Sequence, residues 1–343
     1  MSSDVSAERV TLAEVAEEAG VSLSTISKVL NGRTDVAPAT RARVEALLHE
    51  RGYTRRGTGR SEGHAELIEL VFHELDEIWS MELIGGVESV AKEHGLSVVL
   101  TVSGSRHAPD PDWIDGVIRR RPVGVVLVFS ELAPEYREQL RTRSIPFVIV
   151  DPAGDPSPDV PSVGSANWSG GLAATRHLIE LGHRRIATIT GPEDMMCSLA
   201  RVDGYRSAMN SAGLPIDPSW IRFGDFHVTG GRNHATELLS GPVGERPTAI
   251  FAGSDLQALG VMDAARAAGL SVPGDLSIVG YDDVPISRWV NPPLTTVHQP
   301  LRRMGEEAVR LALRLAGGAH GATPRMDLAT SLVVRESTAA PRP

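Results

Sequence analysis

The chain has 343 residues, of which 41% are hydrophobic, and carries a net charge of −9 with a single cysteine. This length suits two or three domains with buried cores, and one cysteine excludes an internal disulfide framework or a Cys-based zinc site. No apolar run approaches the roughly 18 to 20 residues that a membrane span needs. Because the start, MSSDVSAERV, also lacks the apolar region of a signal peptide, we expect a cytoplasmic protein.

Residues 10–53 predict a helix-turn-helix followed by a third helix. Thr11 and Glu14 have the spacing of a capping box at the start of the first helix. Gly20 lies where that helix must end and the chain must reverse, and Ser22 is a natural N-cap for the second helix. Apolar residues at helical spacing then predict the buried stripe of this second helix, which consists of Ile26, Val29 and Leu30.

The third helix is expected to begin near Pro38 and to bury Val44, Leu47 and Leu48. Between residues 22 and 60 there are eight basic and three acidic residues, a local excess of five positive charges in an acidic chain. A basic head on an acidic body is typical of a nucleic-acid-binding protein. The alternative is an ordinary three-helix cap whose polar face is merely solvated.

A basic, glycine-rich stretch at residues 54–65 is interpreted as a linker, and short apolar runs then alternate with helical patterns. The predicted strands are 67–72, 97–102, 123–129, 147–150, 185–190, 249–252 and 276–280. The predicted helices are 81–94, 110–120, 133–142, 169–181, 200–212, 230–239, 255–268 and 301–316. This alternation indicates an α/β fold with parallel sheets, and the proline-rich stretch 151–161 favours two doubly wound lobes over one large sheet.

In such sheets a ligand binds beyond the carboxyl ends of the strands, which places the site in the cleft between the lobes. The candidates that directly follow predicted strands are His73, Glu74, Ser130, Asp151, Gly191, Ser254, Asp255, Asp282 and Asp283.

Several motifs are similar to those of one known family. The segments TLAEVAEEAGVS, STISKVLNG and TRARVEALLHERGY resemble the head of the lac-repressor/GalR family of transcriptional regulators. The body resembles the same family at ATRHLIELGHRRIATITGP (174–192), RVDGY (201–205), RPTAIFAGSDLQALGV (246–261), GLSVPGDLSIVGYDDVP (269–285) and PPLTTVHQP (292–300). The resemblance covers nearly the whole chain.

This resemblance implies an all-α helix-turn-helix head at residues 1–56, a Gly/Arg-rich linker at 57–65, and an effector-binding and dimerisation body at 66–343. It also implies that the body is like a periplasmic binding protein, with the chain crossing between the lobes near 161–165, 290–298 and 325–328. The N-lobe would then comprise about 66–163 and 298–325, and the C-lobe about 164–297 and 326–339. A homodimer would read a pseudo-palindromic operator in double-stranded DNA, although a tetramer stays open.

By position in the family motif, Leu23 and Ser24 open the recognition helix, and Lys28 lies one turn later on the same face. Many relatives have Arg at the position of Lys28. Because Lys is a point charge rather than a planar fork, we expect weaker base discrimination there. The expected phosphate contacts, which position the head without reading sequence, are Thr11, Ser22, Thr25, Ser27, Asn31 and Arg55.

The linker departs from the family, whose members usually have a hinge helix that wedges a Leu into the minor groove. Here TRRGTGRSEGHA contains three glycines and no leucine. Each Gly costs a helix about 0.8–1.0 kcal/mol relative to Ala. We therefore predict a weak or absent hinge helix and less DNA bending, with Arg55, Arg56 and Arg60 holding the linker to phosphates.

The resemblance places effector contacts at Asp151, Arg201, Phe226, Ser254, Asp282 and Gln299, and Trp79 is added as a second flat face for a sugar ring. Carboxylates, an Arg and aromatic rings suit a neutral polyol. Each of three residues also has a purely structural alternative. Arg201 could pair with Asp203 or Asp194 on the surface, Asp282 could cap a turn, and Trp79 could simply pack.

No catalytic residue, metal site or cofactor is expected, because phosphate-binding loops, nucleophile elbows and zinc-binding helix motifs are absent from the sequence. The predicted function is a sugar-responsive repressor. A purine- or nucleoside-responsive regulator of the same fold stays open as the alternative, and a sugar-binding receptor or an enzyme is disfavoured. The identity of the effector, the operator and the sign of the response are not determined by the sequence.

Overall fold

The computed structural model describes residues 11–30, 36–51, 65–75, 78–104, 110–128, 132–152, 159–318 and 325–342. Its helices are α1 (Leu12–Glu18), α2 (Leu23–Leu30), α3 (Pro38–Glu50), α4 (Ile78–Glu93), α5 (Asp112–Arg120), α6 (Pro134–Thr142), α7 (Asn167–Glu180), α8 (Met196–Ser211), α9 (Val228–Leu239), α10 (Asp255–Ala267) and α11 (Leu301–Ala316). Its strands are β1 (Ala65–Phe72), β2 (Ser97–Val102), β3 (Pro122–Val128), β4 (Phe147–Val150), β5 (Ser162–Ser165), β6 (Ile186–Thr190), β7 (Ile221–Phe223), β8 (Ala249–Ala252), β9 (Ser277–Asp282), β10 (Thr295–His298), β11 (Arg325–Leu328) and β12 (Ser331–Val333).

The N-terminal head consists of α1, α2 and α3, as predicted. The capping box forms, with the Thr11 hydroxyl accepting from the Glu14 amide and the Glu14 carboxylate accepting from the Thr11 amide at 2.6 Å. Gly20 adopts a φ of +61°, and the Ser22 hydroxyl accepts from the Thr25 amide at 3.2 Å. The predicted apolar stripe of α2 packs into the core of the head.

Two six-stranded sheets form the body. The first has the strand order β11-β5-β4-β3-β1-β2 and is parallel throughout. The second has the order β12-β10-β9-β8-β6-β7, in which only β12 runs antiparallel to its neighbour. Each sheet is buried between two hydrophobic clusters, as expected for a doubly wound sheet with helices on both faces.

The strands that the sequence did not predict are β5, β7, β10, β11 and β12, each three or four residues long. Their pairing also moves the lobe boundaries. β11 pairs with β5 in the first sheet, so residues 164–165 and 326–328, expected in the second lobe, belong to the first. His298, expected in the first lobe, ends β10 of the second sheet. The chain therefore crosses between the lobes after β5, β10 and β11.

Two expectations lie outside the described residues, namely the weak hinge helix and the phosphate contacts Asn31 and Arg55. Within the part of the chain that the structure describes, no helix is both long and apolar enough to cross a membrane.

Candidate functional site

The predicted effector residues lie at the carboxyl ends of strands in both lobes. Asp151 directly follows β4 of the first sheet, and Asp282 is the last residue of β9 in the second. Gln299 follows β10, at the point where the chain crosses from one lobe to the other. Because these ends face the cleft, residues almost 150 positions apart in sequence come into hydrogen-bonding distance.

Arg201 is the centre of the polar network. Its side chain is buried, with 4% of the residue exposed. Its Nε donates to Asn167 Oδ1 at 2.9 Å, one terminal nitrogen donates to the Gly253 carbonyl, and the other donates to Gln299 Oε1 at 3.1 Å. This burial excludes the surface ion pair considered for Arg201, since Asp203 instead pairs with Arg206.

Asp151 joins the same network from the other lobe. Its carboxylate accepts from Asn167 Nδ2 at 3.4 Å and from Gln299 Nε2 at 3.3 Å. Its backbone adopts a φ of +49°, which a non-glycine residue rarely does, so the surrounding structure holds it in place. Asn167 and Gln299 therefore each bridge Asp151 of the first lobe to Arg201 of the second.

Aromatic rings cover the Arg201 guanidinium. Its central carbon lies 3.7 Å from the ring centroid of Tyr281 and 5.4 Å from that of Phe226. Trp79 is placed differently, because it packs against the core of the first lobe with its ring centroid 6.1 Å from that of Phe72. These contacts are those of the packing alternative, and an effector contact for Trp79 stays a prediction.

The Ser254 hydroxyl has two structural partners. It accepts from the Gln257 amide at 3.0 Å, which makes Ser254 the N-cap of α10, and it donates to the Phe226 carbonyl at 2.7 Å. Capping α10 gives Ser254 a structural role of its own, which makes it a weaker candidate for ligand contact.

Among the described residues of this cleft, carboxyl groups outnumber cations. Burial raises the pKa of Asp151, and the opposing charge of Arg201 compensates only in part. Burial likewise raises the pKa of Asp282 to about 7, against the influence of Arg201 and of a hydrogen bond from the Asp255 amide. That amide lies at the start of α10, so the Asp282 carboxylate contacts a helix N-terminus as well as the cleft.

Asp255 is the third carboxyl group and is fully buried, with a pKa raised well above its ordinary value by burial and by Asp282. Its side chain accepts from the Thr296 hydroxyl at 2.5 Å and from the Val284 amide at 2.9 Å. These bonds tie the start of α10 to the crossing strand β10 and to the loop after β9. Asp255 therefore supports the site rather than facing a ligand.

Sequence reasoning missed two members of the network, Asn167 and Tyr281. Asn167 begins α7 directly after β5, a strand that the sequence pattern did not reveal. Tyr281 is the penultimate residue of β9, one position beyond the strand that the sequence predicts at 276–280. The useful signal for both was position, since each lies at or beside the carboxyl end of a strand.

The second candidate site is the exposed face of α2. Leu23 is 54% exposed, an unusual position for a large apolar side chain, and Ser24, Ser27 and Lys28 are exposed with it. The Ser22 hydroxyl lies 2.8 Å from that of Ser24 and 3.0 Å from that of Thr25. The helix thus buries one face in the head and presents a small, polar, basic face to solvent, which suits the major groove of DNA.

Both candidate sites lie in parts of the chain that are similar to known proteins. Residues 11–56 match the family model described as bacterial regulatory proteins of the lacI family, and residues 175–338 match that of a periplasmic binding protein-like domain. The HTH-type transcriptional repressor CytR of Escherichia coli (strain K12) is 33% identical over 332 residues, covering 96% of each protein.

Two solved structures are similar over the whole length. One is a transcriptional regulator CelR–cellobiose complex, with a TM-score of 0.73 and 35% identity over 96% of this chain and 100% of that one. The other is the lac repressor dimer bound to operator and the anti-inducer ONPF, with a TM-score of 0.70 and 29% identity over 97% and 100%.

Proposed function

Because the chain belongs to the lacI family of bacterial regulatory proteins, we propose that its operator binding is controlled by a small neutral sugar held between the two lobes. It is a DNA-binding transcriptional regulator of the repressor type, with a helix-turn-helix head and a two-lobed α/β body. Its relatives are regulators rather than enzymes, which points to a protein without catalytic activity. We propose that residues 1–56 form the head, 57–65 the linker and 66–343 the body. The pairing of the strands supports the assignment of β5 and β11 to the N-lobe and of His298 to the C-lobe.

The sugar proposal rests on the polar network around Arg201. It offers carboxylate acceptors from Asp151 and Asp282, and amide donors and acceptors from Asn167 and Gln299. Vicinal hydroxyls both donate and accept, so they match such a set. Because the Arg201 cation already faces the carboxyl groups of Asp151 and Asp282, an anionic ligand such as a sugar phosphate is disfavoured. The cellobiose in the similar CelR structure supports the same class.

A purine or nucleoside is the second candidate, because an aromatic ring in the cleft could stack with a base. The network favours it less, since the Tyr281 ring is already covered by Arg201, which leaves Phe226 as the aromatic surface beside the network. Our proposed effector contacts are therefore Asp151, Arg201, Phe226, Asp282 and Gln299. Ser254 and Trp79 stay weaker members of the set.

For DNA, we propose that Leu23, Ser24 and Lys28 face the bases. The proposed phosphate contacts are Thr11, Ser22, Thr25, Ser27, Asn31 and Arg55. A homodimer is supported by Leu100 (45% exposed) and Val102 (52%), two apolar side chains on one face of the edge strand β2. The similar lac repressor structure is also a dimer on its operator.

The test begins with selection of a duplex from a random library by the full-length protein. Binding of the enriched duplex is then followed by fluorescence anisotropy in the presence of cellobiose, ribose, adenosine, hypoxanthine and glucose 6-phosphate. We expect a neutral sugar to weaken binding and glucose 6-phosphate to have no effect. Failure to enrich any duplex would contradict the DNA-binding assignment. A response to the nucleoside or the base alone would establish the second candidate, and no response at all would remove the sugar proposal.

A further inference from the structure

Arg143 joins the DNA-binding head to the first lobe. It directly follows α6, and only 3% of its side chain is exposed. One terminal nitrogen of its guanidinium donates to the Glu45 carboxylate at 2.7 Å and to the Val29 carbonyl at 3.3 Å. The other donates to the Gln139 carbonyl at 3.0 Å. Glu45 belongs to α3 and Val29 to α2, so a single side chain of the body contacts two helices of the head.

The position of the guanidinium is electrostatically favourable. Val29 lies in the last turn of α2, and Gln139 lies in the last turn of α6. Carbonyl groups at a helix C-terminus lack intrahelical partners and carry partial negative charge, so a cation between two such ends is stabilised. The Glu45 carboxylate supplies a full opposite charge. Hydrogen bonds to charged groups in a buried setting are among the stronger ones in proteins.

The same residue is connected to the effector cleft by one short strand. The chain runs from Arg143 through β4 to Asp151, and all four residues of β4 are buried. β4 pairs with β3 on one side and with β5 on the other, which makes it a rigid element of the sheet. Arg143 precedes this strand and Asp151 follows it, so a shift of the strand moves both.

We propose that Arg143 is a positioning residue that holds the C-terminal end of the recognition helix against the first lobe. A movement of β4 caused by a ligand at Asp151 then reaches α2 directly, alongside any transmission through the linker. This inference rests on the proposed function, since it assumes an effector in the cleft. Leu23, Ser24 and Lys28 remain exposed while the contact is made, so the docked head can still face DNA.

The test compares three variants of the full-length protein. Arg143→Met keeps the length and apolar stem of the side chain but removes its donors, and Glu45→Gln removes only the partner charge. Arg141→Met is the matched control, because Arg141 lies two residues earlier, in α6, and pairs with Asp159 at the surface, with 45% of its side chain exposed. Each variant is measured with the selected duplex, with and without the sugar that acts on the wild type.

We expect Arg143→Met to weaken operator binding about tenfold, since at least one strong charged hydrogen bond is lost. The ratio of the operator affinity without effector to the operator affinity with effector should also fall towards one. The affinity of the body for the sugar itself should stay unchanged. Glu45→Gln should show the same changes to a smaller extent. Arg141→Met should match the wild type in all three measurements.

A second readout needs neither operator nor effector. Arg55, Arg56 and Arg60 are tryptic sites in the sequence between head and body. We expect Arg143→Met and Glu45→Gln, but not Arg141→Met, to be cleaved there several-fold faster, because a head that leaves the body more often is more exposed to the protease. Thermal melting of the body reports whether either variant is simply less stable.

The outcomes separate the two proposals. If no sugar acts on the wild type but cleavage and basal operator affinity change as expected, the sugar proposal falls and the head contact stands. If the wild type responds to sugar and Arg143→Met responds equally, with unchanged affinity and cleavage, the contact has no positioning role. A fall in melting temperature without any change in the affinity ratio would likewise overturn it, because the contact would then be merely structural.

Discussion

The Arg201 guanidinium stacks on the Tyr281 ring, with its central carbon 3.7 Å from the ring centroid. A cation held over an aromatic face away from water is worth roughly 2 kcal/mol. The same cation faces the buried carboxyl group of Asp151 and the partly buried one of Asp282. Burial lowers the pKa of Arg201, but the surrounding Tyr281, Cys197, Asp282 and Asp151 raise it overall. Arg201 is thus a structural counter-charge as well as a proposed effector contact, and its removal has consequences for both roles.

Replacing Arg201 by Met should abolish the effector response and also destabilise the protein. We expect a loss of about 3–5 kcal/mol, because the carboxyl groups of Asp151 and Asp282 would be left without their cation. Urea unfolding followed by tryptophan fluorescence measures this loss. Arg206→Met is the control, since Arg206 makes only an exposed pair with Asp203 and should change stability by less than about 0.5 kcal/mol. Equal midpoints for the two variants would contradict the role given to Arg201.

Titration of Asp282 should lower the free energy of unfolding as the pH rises. Its folded pKa is about 7, whereas an unfolded aspartate titrates near 3.9. Between these values the folded protein holds a proton that the unfolded chain has released. Stability is therefore lost from about pH 4 to about pH 7 and is constant above that range, as far as Asp282 is concerned. The raised pKa values of Asp151 and Asp255 act in the same direction.

The variant Asp282→Asn should therefore gain stability over the wild type at pH 8, by up to about 3 kcal/mol, and gain little at pH 4.5. Thermal melting across this range is the measurement. Asp263→Asn serves as the control, because a hydrogen bond from Arg266 lowers the pKa of Asp263, so its loss should not stabilise the protein at pH 8. A pH profile of Asp282→Asn parallel to that of the wild type would show that Asp282 is ionised throughout.

Close packing of α7 on α8 fixes the position of Arg201. A Cβ atom added at Gly171 would lie 2.3 Å from the Arg201 backbone oxygen, and one added at Gly204 would lie 2.2 Å from the Trp168 backbone oxygen. Gly171→Ala should force the helices apart and cost about 1–3 kcal/mol. It should also weaken effector binding, because Arg201 moves with α8.

Gly241→Ala is the matched control for this substitution. An added Cβ at Gly241 meets nothing within 4 Å, so the change should be neutral or slightly stabilising. Denaturant midpoints and effector titrations of both variants give the comparison. If Gly171→Ala retained wild-type effector affinity, α8 would not depend on this close approach.

Local features of the fold were predictable from the sequence, and long-range ones were not. The capping box at Thr11, the turn at Gly20 and the apolar strand β4 each depend on neighbouring residues, so pattern and propensity reveal them. β11 is recognisable only through its pairing with β5, about 160 residues away, and the four residues of β5 (SVGS) lack the apolar pattern of a strand. Missing β5 also meant missing Asn167 directly after it.

Most residues of the candidate site were also predictable one by one, whereas their long-range contacts were not. Family motifs singled out Asp151, Arg201 and Gln299 one by one, and the structure brings these three into one network. The sequence contained no sign that Arg143 contacts the head, because the contact depends on how α3 docks on α6. A basic residue at a helix end is most often solvated, so nothing distinguishes Arg143 from Arg141 until the tertiary packing is known.

Lys28 should set the strength of base discrimination. It is exposed one turn after Ser24 on the face of α2 that points away from the head core. Lys28→Arg should sharpen discrimination at one base pair of each half-site by about 1 kcal/mol, because a planar fork can engage guanine O6 and N7 together. Lys28→Ala should relax the preference at that base pair. By contrast, Arg43 is an exposed basic residue of α3, outside the recognition helix, and we expect it to contact phosphate. Arg43→Ala should therefore weaken binding to all sequences alike and lower the salt dependence by about one phosphate contact. Selection from a random duplex library, followed by salt titrations, separates the two effects. An unchanged base profile in both Lys28 variants would place the reading of sequence on Leu23 and Ser24.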